Sequence, residues 1–256
     1  MRVEDADGVR TITFDRPERK NALTTDDASE LAARLDEVTA SAFDAVVLTG
    51  AGDAFSAGGD VATMAEGGGE TSASETYDVV RETFGAAAAA ILSTPAPVVA
   101  RVNGDAVGAA TALVAACDFA YAAADARFGA SFVNVGLIPD TGGTVTLPQL
   151  VGLRTAKELI FTGELFSAER AAAMDLVNEA VPADDLDATV DEAVGTLAAR
   201  PTETIALAKE AIHANLGASW REGLDREATL QALARGTEAH EEGVAAFLEG
   251  RPPAFD

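Results

Sequence analysis

Apolar and polar residues alternate along Val9-Arg-Thr-Ile-Thr-Phe14, the period of a half-buried strand. A charged loop, Asp15-Arg-Pro-Glu-Arg-Lys-Asn21, interrupts the pattern, and after Thr24 apolar residues return at helical spacing (Leu31, Leu35, Val38). Thr24 and Asp27 have the offset of a capping box. Residues 44–49 form a second strand-like run that ends in Gly50-Ala-Gly52, and Phe55-Ser-Ala-Gly-Gly-Asp60 follows. Residues 67–74 are rich in glycine and serine and predict a mobile loop, whereas 75–93 are helical by period. Val98–Val102 has strand composition and runs into the turn signal Asn103-Gly104. The small residues over 106–116 predict a closely packed helix, and 119–122 is another short apolar run. Helices are predicted over 151–162 and 167–174, the second with Ser167 as its N-cap, and a last strand over 176–181. From 184 onward every pattern is helical, with Pro201 in a first turn and Ser219 and Thr237 as caps.

Strands and helices thus alternate to about residue 182, and helices alone follow. The expected organisation is an α/β core over 1–198 and a helical region over 199–256. No short-period repeat is visible.

Composition refines this picture in two ways. A hydrophobic share of 48% with only 5% aromatics means that alanine, valine and leucine fill the core. The net charge of −24 is spread over the chain (Asp26, Asp27, Glu66, Asp184, Asp185, Glu241, Glu242), and the lysines are Lys20, Lys157 and Lys209. An evenly acidic, lysine-poor surface fits a salt-rich cytoplasm, where counter-ions screen self-repulsion. The same charge disfavours a nucleic-acid partner. The N-terminal MRVEDADG has no apolar stretch for a signal peptide, and the longest apolar region, 85–102, is broken by Pro95 and Pro97, so no membrane span is expected. Cys117 has no cysteine to pair with and reads as a small buried hydrophobe.

Candidate chemistry narrows by elimination. Gly50-Ala-Gly52 follows a strand as a dinucleotide fingerprint does, but the third glycine position holds Phe55. His213 and His240 lack a second ligand at metal spacing, so no metal is expected. Two glycine-rich turns remain, Phe55-Ser-Ala-Gly58-Gly59-Asp60 and Gly104-Asp-Ala-Val-Gly108-Ala109-Ala110. Backbones without side chains let a ligand come close, and two N–H groups aimed at one oxygen make an oxyanion hole. Close packing alone also explains either turn. Asp140, in Gly136-Leu-Ile-Pro-Asp140-Thr-Gly-Gly143, is a carboxylate in a glycine-rich turn, which by turn chemistry alone reads as the cap of a following helix.

The chain resembles the crotonase, or enoyl-CoA hydratase/isomerase, family. The resemblance rests on Asp15-Arg-Pro…Asn21-Ala-Leu, Leu48-Thr-Gly…Phe55-Ser-Ala-Gly-Gly-Asp60, Val102-Asn-Gly…Gly108, Cys117-Asp118, Gly136-Leu-Ile-Pro139…Gly142-Gly-Thr144, Leu159-Ile-Phe-Thr-Gly163, Asp175-Leu-Val-Asn178 and Glu242-Gly-Val…Phe247-Leu-Glu. It implies a crotonase-like spiral of ββα turns with a C-terminal all-helical trimerisation region, assembled as a homotrimer or as a hexamer of paired trimers. It implies an acyl-CoA thioester as ligand, with coenzyme A entering as part of the substrate and no separate cofactor. The oxyanion donors fall on the N–H groups of Gly59 and Ala109. The coenzyme A contacts fall on Arg16, Lys20, Ala22, Ala57, Asp60 and Val61, with Phe247 supplied by a neighbouring subunit. A lysine common three residues after that phenylalanine is Gly250 here.

The two glutamates that the resemblance assigns to hydratases fall on Ala112 and Phe132, neither of which ionises. Some isomerases of the family, of the kind acting on ring-modified phenylacetyl-CoA intermediates, place their acid/base in the same Ile-Pro-Asp-x-Gly-Gly turn. The reading is therefore a double-bond shift through a thioester enolate, with Asp140 carrying the proton among the apolar neighbours Phe132, Val135 and Leu137. Hydration of the fatty-acid β-oxidation type, with Glu75 or Glu82 reaching the pocket, and a catalytically silent acyl-CoA-binding subunit are the alternatives. Asp118 and Asp60 read as loop-fixing residues, and Trp220 as core or interface in the tail.

Overall fold

The computed structural model describes residues 1–63 and 72–255. Of the loop expected over 67–74, residues 67–71 lie outside the described residues. Two sheets organise the chain. The first has the order β1-β2-β3-β5-β7-β10, formed by β1 (Arg2–Ala6), β2 (Val9–Phe14), β3 (Ala45–Gly50), β5 (Val98–Val102), β7 (Phe119–Ala123) and β10 (Glu179–Val181). The second has the order β4-β6-β8-β9, from β4 (Ala54–Ser56), β6 (Asp105–Val107), β8 (Arg127–Gly129) and β9 (Phe166–Ser167). β3 to β4, β5 to β6 and β7 to β8 each leave one strand in either sheet before a helical crossover. This is the expected spiral of ββα turns. Pairing is parallel except between β1 and β2 and between β8 and β9.

Parallel strands covered on both faces read as continuous apolar runs rather than alternating ones. β3 fits that rule, buried at all of its positions. Ile12, Phe14, Leu48, Val98 and Val99 put buried side chains of the first sheet into the core, α8 (Leu186–Ala198) packs on β3, β5 and β7, and α1 (Thr25–Asp36) packs on α3 (Phe84–Ser93). α4 (Ala109–Ala116) runs through the middle and is buried at every residue, because alanines, Leu113 and Val114 let its neighbours approach from all sides. Further helices with both ends among the described residues are α2 (Ala73–Glu82), α5 (Gly143–Leu150), α6 (Gly152–Thr162), α7 (Ala168–Ala173), α9 (Thr202–Asn215), α10 (Trp220–Ala234) and α11 (Glu238–Glu249).

Several expectations need correcting. The segment 106–116 is not one helix: Asp105–Val107 is a strand and the helix starts at Ala109. A three-residue strand is too short to show a period. The helix expected over 75–93 is two helices meeting at Thr83, whose hydroxyl and amide both bond the Val79 carbonyl. Such side-chain competition for a carbonyl bends or ends a helix. β1 was not anticipated; it is an exposed edge strand with little apolar pattern. The caps at Thr24, Ser167, Ser219 and Thr237 are present, and Pro201 stands immediately before α9.

The C-terminal helices are anchored to the core by one buried pair. Lys209 Nζ donates to Asp118 Oδ2 at 2.6 Å and to the Ile91 carbonyl at 2.8 Å, and Asp118 Oδ2 also accepts from Val98 N at 2.7 Å. Asp118 is thus a structural residue. Trp220 is 70% exposed and is not in the core of this chain. Cys117 is half-buried, with Sγ donating to the Leu113 carbonyl; burial and the neighbouring Asp118 push its thiol up, away from nucleophilic chemistry. No described helix is long and apolar enough to cross a membrane.

Candidate active site

Both glycine-rich turns follow short strands of the second sheet. After β4, Leu23 N donates to Gly58 O and Asp60 N donates to Leu23 O. In extended backbone successive peptide groups face opposite ways. The Gly59 N–H therefore points away from Leu23, and it donates to no acceptor among the described residues. After β6, Gly108 takes φ 59°, a conformation that favours glycine, and Ala109 opens α4. The first amides of a helix have no intrahelical acceptor, and the helix dipole favours negative charge beside them. The two turns touch: a Cβ built on Gly58, at φ +86°, would run into the Val107 carbonyl and sit 3.2 Å from the Ala109 nitrogen. Thr111 pins this corner, donating to the Ala106 carbonyl at 2.6 Å and accepting from Gly129 N at 3.1 Å.

A cavity of about 170 Å³ opens at this contact. Its wall includes Gly59, Ala109, Phe132 and Asp140, which brings the two proposed donors and the proposed acid/base to one space. Ala57 and Val61 line it as well, together with Val135 and Leu137. Phe84, Gly108, Ser131 and Asn134 complete the wall; Phe84, Ser131 and Asn134 were not singled out in the sequence. Asp140 is the one titratable side chain in that wall among the described residues. It does not cap α5, whose N-cap is Gly142 with no side-chain bond, so the capping alternative falls.

The other sequence candidates fall outside the wall. Arg16, Lys20 and Ala22 belong to the neighbouring loop, where Arg16 donates to the Ala22 carbonyl at 2.7 Å and the Lys20 carbonyl accepts from Ala57 N at 2.9 Å. Asp60 is buried and bonded to Arg16 at 3.2 Å. Burial raises its pKa, but the Thr63 amide and the Arg16 guanidinium more than offset this and hold the carboxyl below its usual value. Phe247 is 84% exposed on α11, away from the cavity of its own chain. Glu75 is spent in a capping box with Ser72, and Glu82 pairs with Arg81 at 3.0 Å; neither enters the cavity wall. Ala112 is buried behind the site, where a Cβ added to Gly143 would lie 3.2 Å from its own. Among the described residues, no three His, Cys, Asp or Glu side chains are grouped to hold a metal.

Three comparisons bear on this arrangement. The family model described as enoyl-CoA hydratase/isomerase matches residues 4–256. A Rhodobacter capsulatus protein named "Probable enoyl-CoA hydratase" is 41% identical over 255 residues, spanning 100% of this chain and 97% of its own. An Escherichia coli protein named "1,2-epoxyphenylacetyl-CoA isomerase" is 34% identical over 250 residues, spanning 97% and 95%. The crystal structure of an enoyl-CoA hydratase from Mycobacterium smegmatis superposes with a TM-score of 0.91 at 35% identity, covering 99% of this chain and 98% of that one.

Proposed function

We propose that this chain, which belongs to the enoyl-CoA hydratase/isomerase family, moves a carbon–carbon double bond along an acyl-CoA thioester. The observation that carries the reading is one cavity whose wall, among the described residues, holds two unpaired backbone donors and a single carboxylate. A thioester oxygen between Gly59 N–H and Ala109 N–H would gain ~3 to 4 kcal/mol from each donor as negative charge develops on it. Asp140 then removes the proton from C2 of a 3-enoyl thioester, and the electron pair spreads onto that oxygen. The same carboxyl returns a proton at C4, which leaves a 2-enoyl thioester. One acid/base suffices, because no water is added.

Hydration is the second reading, favoured by the names of several relatives, including the 41% identical one. Against it stand the residues at the two glutamate positions that the resemblance implies: Phe132, in the cavity wall, and Ala112, buried behind it, neither of which moves a proton. For the assembly, a homotrimer or paired trimers in a salt-rich cytoplasm is the proposal. The exposed apolar residues Ile212, Trp220, Leu224, Leu233, Phe247 and Leu248 of α9 to α11 support a covered tail, and Phe247 is the residue offered to a neighbouring site.

The deciding experiment assays purified protein at high salt against 3-enoyl- and 2-enoyl-CoA. Isomerisation lost in Asp140→Asn supports the reading. Hydration that survives Asp140→Asn overturns it in favour of the second, and tight thioester binding without turnover overturns both.

A further inference from the structure

Thr141 is fully buried, and among the described residues its side chain makes one hydrogen bond: Oγ1 donates to Asp140 Oδ1 at 2.9 Å. The other carboxylate oxygen, Oδ2, has no hydrogen-bond donor among the described residues. The backbone explains why neighbours in sequence meet this way. Gly142 N donates to the Asp140 carbonyl at 2.7 Å, Gly142 itself takes φ +76°, and α5 begins at Gly143. This tight turn folds the Thr141 hydroxyl back beneath the carboxyl. A buried hydroxyl must keep its one acceptor, so its proton is committed to Oδ1.

We infer that Thr141 is a positioning residue for Asp140, holding Oδ1 still so that Oδ2 alone takes and returns the proton. The inference rests on the proposed role of Asp140. In the first half-reaction the C2–H bond breaks, the Oδ2–H bond forms and the electron pair enters the thioester enolate. In the second, the Oδ2–H bond breaks, a C4–H bond forms and the thioester carbonyl is restored. Oδ1 accepts from Thr141 in both protonation states, so the bond is never broken during a turnover. A carboxyl free to rotate presents either oxygen and can lose the transferred proton to water between the two halves. No second titratable side chain in the described cavity wall competes for that proton.

The test uses the whole protein and 3-hexenoyl-CoA carrying deuterium at C2, in ordinary water. Thr141→Val keeps the shape and removes the donor; Thr141→Ser keeps the donor. Thr141→Val is expected to lower kcat by about tenfold or more with KM changed less than about twofold, and to lower the fraction of deuterium delivered to C4. Thr141→Ser is expected to restore both. If Thr141→Val does not fold, Thr141→Ala carries the same readout, and unchanged binding of butyryl-CoA verifies an intact site. Wild-type kcat and deuterium delivery in the donor-less variant overturn the inference, as does a loss that Thr141→Ser does not repair. Asp140→Asn, run alongside, separates the two failures. If it still isomerises, the acid/base reading falls and the inference with it; if it is inactive while Thr141→Val is normal, the positioning role alone falls.

Discussion

Ala109 offers a substitution that separates an amide from its helix. It is the first residue of α4, where proline is tolerated because the lost N–H has no intrahelical acceptor. Ala109→Pro should therefore leave the fold intact while deleting one proposed oxyanion donor and setting a ring carbon in place of its hydrogen. A fall in kcat of about 10² to 10³ is expected, with the melting temperature nearly unchanged; steady-state kinetics and calorimetry on the same sample check it. At this scale the site was legible in the sequence only in part. Gly59 and Ala109 entered as candidates through the family resemblance, because turns of small residues are equally explained by close packing, and both line the candidate cavity. Asp140 sits in ordinary turn chemistry and stood out against helix capping only through the same resemblance; it too lines the cavity. Phe84, Ser131 and Asn134 were not legible, since their approach to the cavity depends on how helices and turns far apart in the chain pack together.

Among the elements, α11 and the segment after it make a testable unit. Arg251 grips Glu242 through two nitrogens, at 2.6 and 2.8 Å, and Ala254 N donates to the same carboxylate at 2.8 Å. The Arg251 hydrogen bond, then the Ala254 amide, lower the Glu242 pKa from 4.5 to about 2. A depressed carboxyl stabilises the folded form above its unfolded pKa and loses that contribution as pH falls through the folded one. The tether should thus hold at pH above about 4.5 and release as the pH approaches 2. Hydrogen exchange at Ala254 follows this directly, and Glu242→Gln should show fast exchange at neutral pH with little further change on acidification. Helix ends with caps were read well from sequence, since Thr24, Ser167, Ser219 and Thr237 act within a single turn. The joint at Thr83 and the short strands β4, β6 and β8 were not. A bend or a three-residue strand leaves no periodic trace, and only pairing with a distant strand defines it.

For the whole molecule, charge is the dominant variable. With a net charge of −24, repulsion opposes compactness unless salt screens it. Raising the salt from about 0.1 M to about 1 M shortens the screening length from ~10 Å to ~3 Å. The melting temperature should rise over that range, and a flat or falling curve measured by calorimetry would contradict the electrostatic account. The buried Lys209–Asp118 pair, shielded from bulk solvent, should contribute little to that dependence. The α/β core and helical tail were visible as a change in pattern, but this pair joins the two across 91 residues and had no local signature.

The spiral also sets a ruler. The two proposed oxyanion turns are some fifty residues apart in the chain, yet they leave adjacent strands, β4 and β6, of one parallel ladder. Neighbouring strands stand about 4.8 Å apart. A single oxygen about 2.9 Å from each of two amides fits within that gap. Main-chain pairing thus brings the two turns together, and the close approach of Gly58 to Ala109 N keeps the proposed donors side by side. Side chains around the cavity can then be exchanged, and one reaction traded for another, while the proposed grip on a thioester stays at the same gauge.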